Sequence, residues 1–282
     1  MISPDHYSNF SSSRIKSFFP LSGGDISDAF RLDLDDGSNL FLKKNSSDKF
    51  PGMFEAEAKG LHLLGAATSF VPRVISVVEE NDEQFLLLEH LETGILAPSD
   101  WRSAGKELSK IHRKTSALFG LDHSNYMGSL SQYNHQCSSF SEFFVTSRLG
   151  VQVKLARDAR FLEAAHIRQF ERFYLRLEEL IPAEKPSLVH GDLWTGNLHE
   201  SKKGGYFIDP AVAFSHREVD LAMSMLFGSF PGDFYMGYTE DFPLEKDWKA
   251  RIQFFNLYPL LVHLNLFGLS YQPRIAEIIN RF

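Results

Sequence analysis

The chain has 282 residues, 43% of them hydrophobic and 13% aromatic, including 26 phenylalanines. It can bury one large core or two lobes sharing an interface, and a disordered protein is excluded. The formal net charge is -7, and no block of Lys and Arg resembles a surface for phosphate backbones, so no nucleic-acid partner is expected. A single cysteine, Cys137, rules out an intrachain disulfide and suits a reducing compartment, the cytoplasm.

The opening residues, MISPDHYSNFSSSRIK, lack a basic region followed by an apolar run, so no secretory signal is expected. Strands are predicted at Ala29–Leu34 and Leu40–Lys43, joined by the turn-forming cluster Asp35-Asp36-Gly37-Ser38 as a hairpin. A helix follows in which Met53, Leu61 and Leu64 share a face. Two further strands, Val74–Val78 and Phe85–Glu89, flank the polar turn Glu80-Asn81-Asp82-Glu83. Beyond Leu91 the periodicity turns helical, over Trp101–Thr115, Phe140–Ala156, Phe161–Leu180, Val219–Phe227 and Trp248–Phe267. A β-type island, Leu188–Ile208, interrupts these helices and holds the densest polar chemistry in the chain. The most apolar stretch, Phe254–Leu269, is interrupted by Asn256, Pro259, His263 and Asn265; it reads as a buried helix, not a membrane span. An α+β, two-lobed architecture follows. Residues 1–91 form a small antiparallel β-rich lobe and 92–282 a larger helical lobe, with a cleft between them.

The island begins His190-Gly191-Asp192-Leu193-Trp194-Thr195-Gly196-Asn197 and ends Ile208-Asp209-Pro210. Phosphoryl transfer needs a carboxylate near the attacking hydroxyl, oxygen ligands for Mg²⁺ and cations on the phosphates. The spacing from Asp192 to Asn197 matches the kinase pattern H-x-D-x-x-x-x-N, in which one loop carries the base and a metal ligand. Asp209 closes the apolar strand Tyr206-Phe207-Ile208 and fits a second oxygen ligand at a strand terminus. An Asp after Gly is by itself more often a turn cap; four specified polar residues in order between two strands outweigh that reading.

Lys43 ends an apolar strand and has a partner in Glu57 on the next helix, the pair by which kinases orient the α- and β-phosphates. Lys44 faces the other side of the strand, and Glu55 another side of the helix. Ser22-Gly23-Gly24-Asp25-Ile26-Ser27 fits a loop covering phosphates: Gly23 and Gly24 allow close backbone approach, and Ser27 can donate a hydrogen bond. The apolar strand Phe85–Leu91 runs into the lobe junction, where main-chain groups of Glu89 and Leu91 would meet adenine.

With these residues in view, the sequence resembles the fructosamine-3-kinase (ketosamine kinase) family within the aminoglycoside-phosphotransferase-like kinases. The resemblance runs through SGGDIS (22–27), FLKKN (41–45), MFEAEAKGL (53–61), LEH ending at His90 and NYMG (125–128). It continues through Gln132, Asn134, RLG (148–150), HGDLWTGN (190–197), IDPA (208–211), HREVDLAM (216–223) and LNLFG (264–268). It implies a bilobal protein-kinase-like fold and transfer of the ATP γ-phosphate to O3 of a fructosamine or ribulosamine, free or on a protein lysine. Asp192 would then be the base, Asn197 and Asp209 the Mg²⁺ ligands, and Lys43 the phosphate contact held by Glu57. Trp194, His216 and Asn265 would lie near the sugar pocket, although core packing for Trp194 and a buried hydrogen bond for His216 weigh about equally. Arg217, Glu218 and Asp220 would tie their helix to the catalytic loop. Asp25 stands where some relatives carry a cysteine, and Phe140 where relatives usually show a tryptophan. A monomer or weak homodimer with no membrane partner is expected. Alternatives are a kinase of an aminoglycoside, choline or thiosugar, an ATP-binding pseudokinase, and a metallohydrolase built on His190, Asp192, His199 and Asp209.

Overall fold

The structure, a computed structural model, describes residues 13–21 and 26–282. Its amino-terminal part is an antiparallel sheet of strands β1 (Ile15–Leu21), β2 (Asp28–Leu34), β3 (Asn39–Ser46), β4 (Val74–Glu80) and β5 (Glu83–Glu89), in the order β1-β2-β3-β5-β4. Local chemistry sets both predicted hairpins. In the first, Gly37 takes φ +84°, and the Asp36 carboxylate accepts from the Ser38 amide at 2.9 Å. In the second, Asn81 and Asp82 both adopt positive φ, 52° and 63°, as a two-residue turn matched to strand twist requires. β5 is a buried interior strand between β3 and β4, with Phe85 to Leu88 all under 5% exposed. β1 carries no alternating apolar pattern, which is why periodicity did not reveal it.

Helix α1 (Met53–Gly65) lies between β3 and β4 in the chain. Helix α2 (Pro98–His112) follows the sheet, and a short hairpin of β6 (Asn125–Met127) and β7 (Leu130–Gln132) follows α2. The predicted helix at 140–156 is three pieces: α3 (Phe140–Phe144), a π-helical turn (Val145–Leu149) and α4 (Gly150–Asp158). The next is two, α5 (Ala164–Tyr174) and α6 (Leu177–Leu180). The β-type island contains β8 (Ser187–Val189), a 3₁₀ turn (Thr195–Asn197), β9 (Leu198–Ser201) and β10 (Gly204–Phe207). After β11 (Ala213–Ser215) come α7 (Glu218–Met223), α8 (Gly232–Asp241), α9 (Trp248–Phe255), α10 (Leu257–Phe267) and α11 (Gln272–Ile279). The apolar run at 254–269 is divided where α10 begins: Pro259 has no N–H for the helix to use and fits only its first turn. No helix among the described residues is long and apolar enough to cross a membrane.

Three apolar clusters result. One fills the helical part, around Phe143, Phe170, Phe173 and Leu261, and one lies under the sheet, around Leu32, Leu42 and Phe85. The third joins the two parts: Phe54, Leu61 and Leu86 pack in one cluster with Leu108, Leu188, Leu193, Phe207 and Phe234. The helices α2 and α8 meet backbone to backbone, since a Cβ on Gly105 would lie 1.9 Å from the Phe234 carbonyl oxygen.

Candidate active site

In the second half of β3, Lys43 points toward α1 and Lys44 points away. Lys43 Nζ lies 2.9 and 2.8 Å from the two Glu57 oxygens and 3.2 Å from Asp209 Oδ1, whereas Lys44 pairs with Glu83 at 2.5 Å. Burial disfavours the Lys43 ammonium, but the Asp209 and Glu57 carboxylates outweigh it and hold its pKa above the ordinary lysine value. Among the described residues, Glu55 pairs with Lys59 at the surface. The approach of α1 is set by Gly60, three residues after Glu57, where a Cβ would lie 3.2 Å from Val212 and 3.5 Å from Pro210. The helix therefore lies against the segment that follows Asp209.

The loop after β8 is held from behind. His190 is fully buried; its Nε2–H donates to the Ile208 carbonyl at 2.9 Å and its Nδ1 accepts from the Asp192 amide at 3.3 Å. Burial lowers its pKa, which keeps the ring neutral with one nitrogen in each role. Asp220 on α7 accepts the His190 amide at 2.7 Å and the Gly191 amide at 2.8 Å, and its Oδ2 meets His112 Nε2 at 3.1 Å. Burial would raise this carboxyl, but the bonds from His112 and the loop amides hold it below the usual range. His112 is fixed in turn by the Tyr238 hydroxyl at 2.8 Å. Gly191 takes φ +86°, and a Cβ there would lie 2.0 Å from the Ala211 carbonyl oxygen, so only glycine fits.

This scaffold presents Asp192. Asn197 Nδ2 donates to its Oδ2 and to its main-chain carbonyl, both at 2.9 Å. Burial, and to a lesser degree the charges of Asp209 and Asp220, push the Asp192 carboxyl up to about 7, against the lowering effect of Asn197. Asp209 follows β10 with φ +55°, a strained value for a non-glycine residue, and its side chain is 47% exposed. Lys43, Glu57, Asp192, Asn197 and Asp209 thus converge.

The oxygen donors suit a hard dication: Asn197 commits its nitrogen to Asp192 and leaves the amide oxygen to serve a cation, beside the exposed Asp209 carboxylate.

The other predicted positions fall as follows. Gly23 and Gly24 lie outside the described residues. Ser27 accepts from Asn45 Nδ2 at 3.2 Å. Glu89 ends β5 with its amide bonded to the Arg73 carbonyl at 2.9 Å, and Leu91 follows it half-buried. Trp194 is half-buried against the Phe227 ring, at a centroid distance of 6.3 Å. His216 does not face a cleft. It is fully buried between the rings of Phe140 and Phe255, and burial together with the Arg251 charge lowers its pKa to about 3. Its neighbours Glu184 and Glu218 gather with it as potential ligands, but Arg217 and Arg251 occupy those carboxylates, so the group is an ion-pair network. Asn265 joins α10 to α4, donating to the Gln152 carbonyl at 3.0 Å and to its Oε1 at 2.8 Å. The metallohydrolase set does not assemble: among the described residues, His190, Asp192, His199 and Asp209 form no ligand cluster. Sequence reasoning missed His112 and Tyr238, for which a helix histidine and a helix tyrosine gave no distinguishing signal.

An antiparallel sheet with a lysine–glutamate pair, set beside a helical part that carries the Asp192 loop and the Asp209 turn, defines the protein-kinase-like phosphotransferase fold. Solved structures agree. The fold superposes on a fructosamine-3-kinase structure from Thermobifida fusca with TM-score 0.91 and 31% identity, covering 98% of this chain and 96% of that one. It also superposes on the amicoumacin kinase hAmiN, in complex with AMP-PNP and Ca²⁺, with TM-score 0.65 and 13% identity over 98% of this chain and 91% of that one, a likeness of fold alone. A ketoamine kinase of Enterococcus faecium is 36% identical over 266 residues, 93% of this chain and 94% of its own length. The family model for fructosamine kinase matches residues 5–282. The chain belongs to the fructosamine kinase family, and with it to the phosphotransferases that use an alcohol group as acceptor.

Proposed function

We propose that the protein transfers the γ-phosphoryl group of ATP to O3 of a ketosamine, a fructosamine or ribulosamine that is free or carried on a protein lysine. The observation that carries this reading is the meeting of Lys43 with both Glu57 and Asp209, next to Asp192 held by Asn197. Residues 1–91 serve as the nucleotide-binding lobe and 92–282 as the catalytic and acceptor lobe. The Glu89 carbonyl and Leu91 amide address adenine, and Lys43, steadied by Glu57, addresses the α- and β-phosphates. A Mg²⁺ held by the Asn197 oxygen and Asp209 would neutralise charge on the phosphates. Asp192, in its ionised form, takes the proton of the attacking hydroxyl, and its raised pKa makes it a stronger base than an ordinary carboxylate. Its bond from Asn197 fixes the carboxylate so that one oxygen remains for the acceptor.

An ADP-release screen across ketosamines, aminoglycosides and choline-like alcohols tests the proposal. Release with a fructosyl- or ribulosyl-amine, and phosphorus NMR placing the phosphate on O3, are expected. Turnover confined to the other alcohols would reassign the acceptor. Thermal stabilisation by ATP without ADP release from any acceptor would make the protein a nucleotide-binding pseudokinase.

A further inference from the structure

Arg148 is 6% exposed and, among the described residues, has no carboxylate within ion-pair range. Burial lowers its pKa only to about 10, so it stays charged at neutral pH. A buried cation without a counter-ion is costly and needs a reason. Its position is specific: it lies on the π-helical turn Val145–Leu149, whose irregular winding aims it inward, where its guanidinium rests over the Phe143 ring at 4.5 Å and the Tyr258 ring at 5.4 Å.

Its hydrogen bonds lead to the metal-type loop. Arg148 donates to the Tyr133 carbonyl at 2.5 Å and to Asn134 Oδ1 at 2.7 Å. Asn134 Nδ2 donates to Asn125 Oδ1 at 3.0 Å, and Asn125 Nδ2 donates to the Val212 carbonyl at 2.9 Å. Gln132 Nε2 donates to Asn125 Oδ1 at 2.8 Å and to the Ala211 carbonyl at 3.1 Å, while its Oε1 accepts from the Tyr258 hydroxyl at 2.7 Å. A side-chain amide can point either way, so a chain of amides needs an end that cannot reverse. A guanidinium only donates and a carbonyl only accepts. Arg148 at one end and the Ala211 and Val212 carbonyls at the other therefore fix the direction of every amide between them. Ala211 also donates to the His190 carbonyl at 2.9 Å, so the relay ends where the base loop meets the strained Asp209 turn.

We propose that Arg148 is a positioning residue: through Asn134, Asn125 and Gln132 it polarises a buried amide relay that holds the Asp209–Val212 turn in its metal-binding conformation. The inference rests on the kinase reading of the site. Outer partners of this kind change metal affinity by about 10- to 100-fold when removed.

The test is Mn²⁺ binding to the protein loaded with a non-hydrolysable ATP analogue, followed by electron paramagnetic resonance. Arg148→Met and Gln132→Met should each weaken Mn²⁺ about tenfold. Metal-free nucleotide affinity should stay unchanged, and the double variant should be weaker by less than the product of the single effects. Arg148→Lys, which keeps the charge but loses the fork that spans Tyr133 and Asn134, should fall between Arg148→Met and the wild type. Folded variants that bind Mn²⁺ as the wild type does would overturn the proposal. If Arg148→Met fails to fold, Gln132→Met decides alone. A wild-type protein that binds neither metal nor nucleotide would overturn the kinase reading itself, a result distinct from failure of the relay.

Discussion

Asp192→Asn keeps the side chain's shape and, through its oxygen, the bond donated by Asn197, but it removes a titrating charge. The native carboxyl titrates at about 7 against an ordinary 3.8, because it is buried beside Asp209 and Asp220. The native state therefore holds a proton between those values when the unfolded chain does not. Its contribution to stability is fully present below the lower value and lost as pH rises through the upper one. Above that, the ionised carboxylate opposes folding by up to about 4 kcal/mol, at roughly 1.4 kcal/mol per pH unit. Residual solvent contact reduces this to about 2–4 kcal/mol. Asparagine carries no such load, so Asp192→Asn should be more stable than wild type at pH 8 by about that amount, or about 4–8 °C in Tm. The advantage should vanish near pH 4. Turnover should meanwhile drop on the order of 10²- to 10⁴-fold, with ATP affinity largely spared. Metal-free thermal unfolding at pH 4 and pH 8, together with ADP release, measures both effects. A variant less stable than wild type at both pH values, or one with near-normal turnover, would refute the reasoning.

Two further outcomes follow from the same geometry. Lys43→Met should cut kcat/KM by on the order of 10²-fold or more, while Lys44→Met, which loses only a pair with Glu83, should change it less than about threefold; steady-state kinetics separates them. Asp220→Asn offers one oxygen where two loop amides need acceptors. It should lower stability by about 3–5 kcal/mol in urea unfolding, and a near-native midpoint would mean that Asp220 does not hold the loop.

Much of the site was legible in the chain because its signals are local. Asp192 and Asn197 lie on one short loop, so their spacing in sequence is nearly their spacing in space. Strand alternation separated Lys43 from Lys44, and helix geometry separated Glu57 from Glu55, before any contact was known. Both hairpins were encoded by turn residues that tolerate positive φ or cap their own backbone.

Tertiary structure decided the fate of polar residues whose partners are remote. His112 and Asp220 meet across 108 positions, and His112 and Tyr238 across 126. His216 carries the same motif context as the site residues, yet its ring lies between Phe140 and Phe255 in the core. The helix α8 gave a weak signal because its ten residues include two glycines, and its close approach to α2 is a backbone contact at Gly105 beside the buried Phe234 and Tyr238. The sequence alone determined the chemical groups and their local spacing, since these depend on covalent geometry and short-range backbone preference. Which groups are buried, paired or turned toward the cleft depended on desolvation and hydrogen-bond partners that only chain closure brings together.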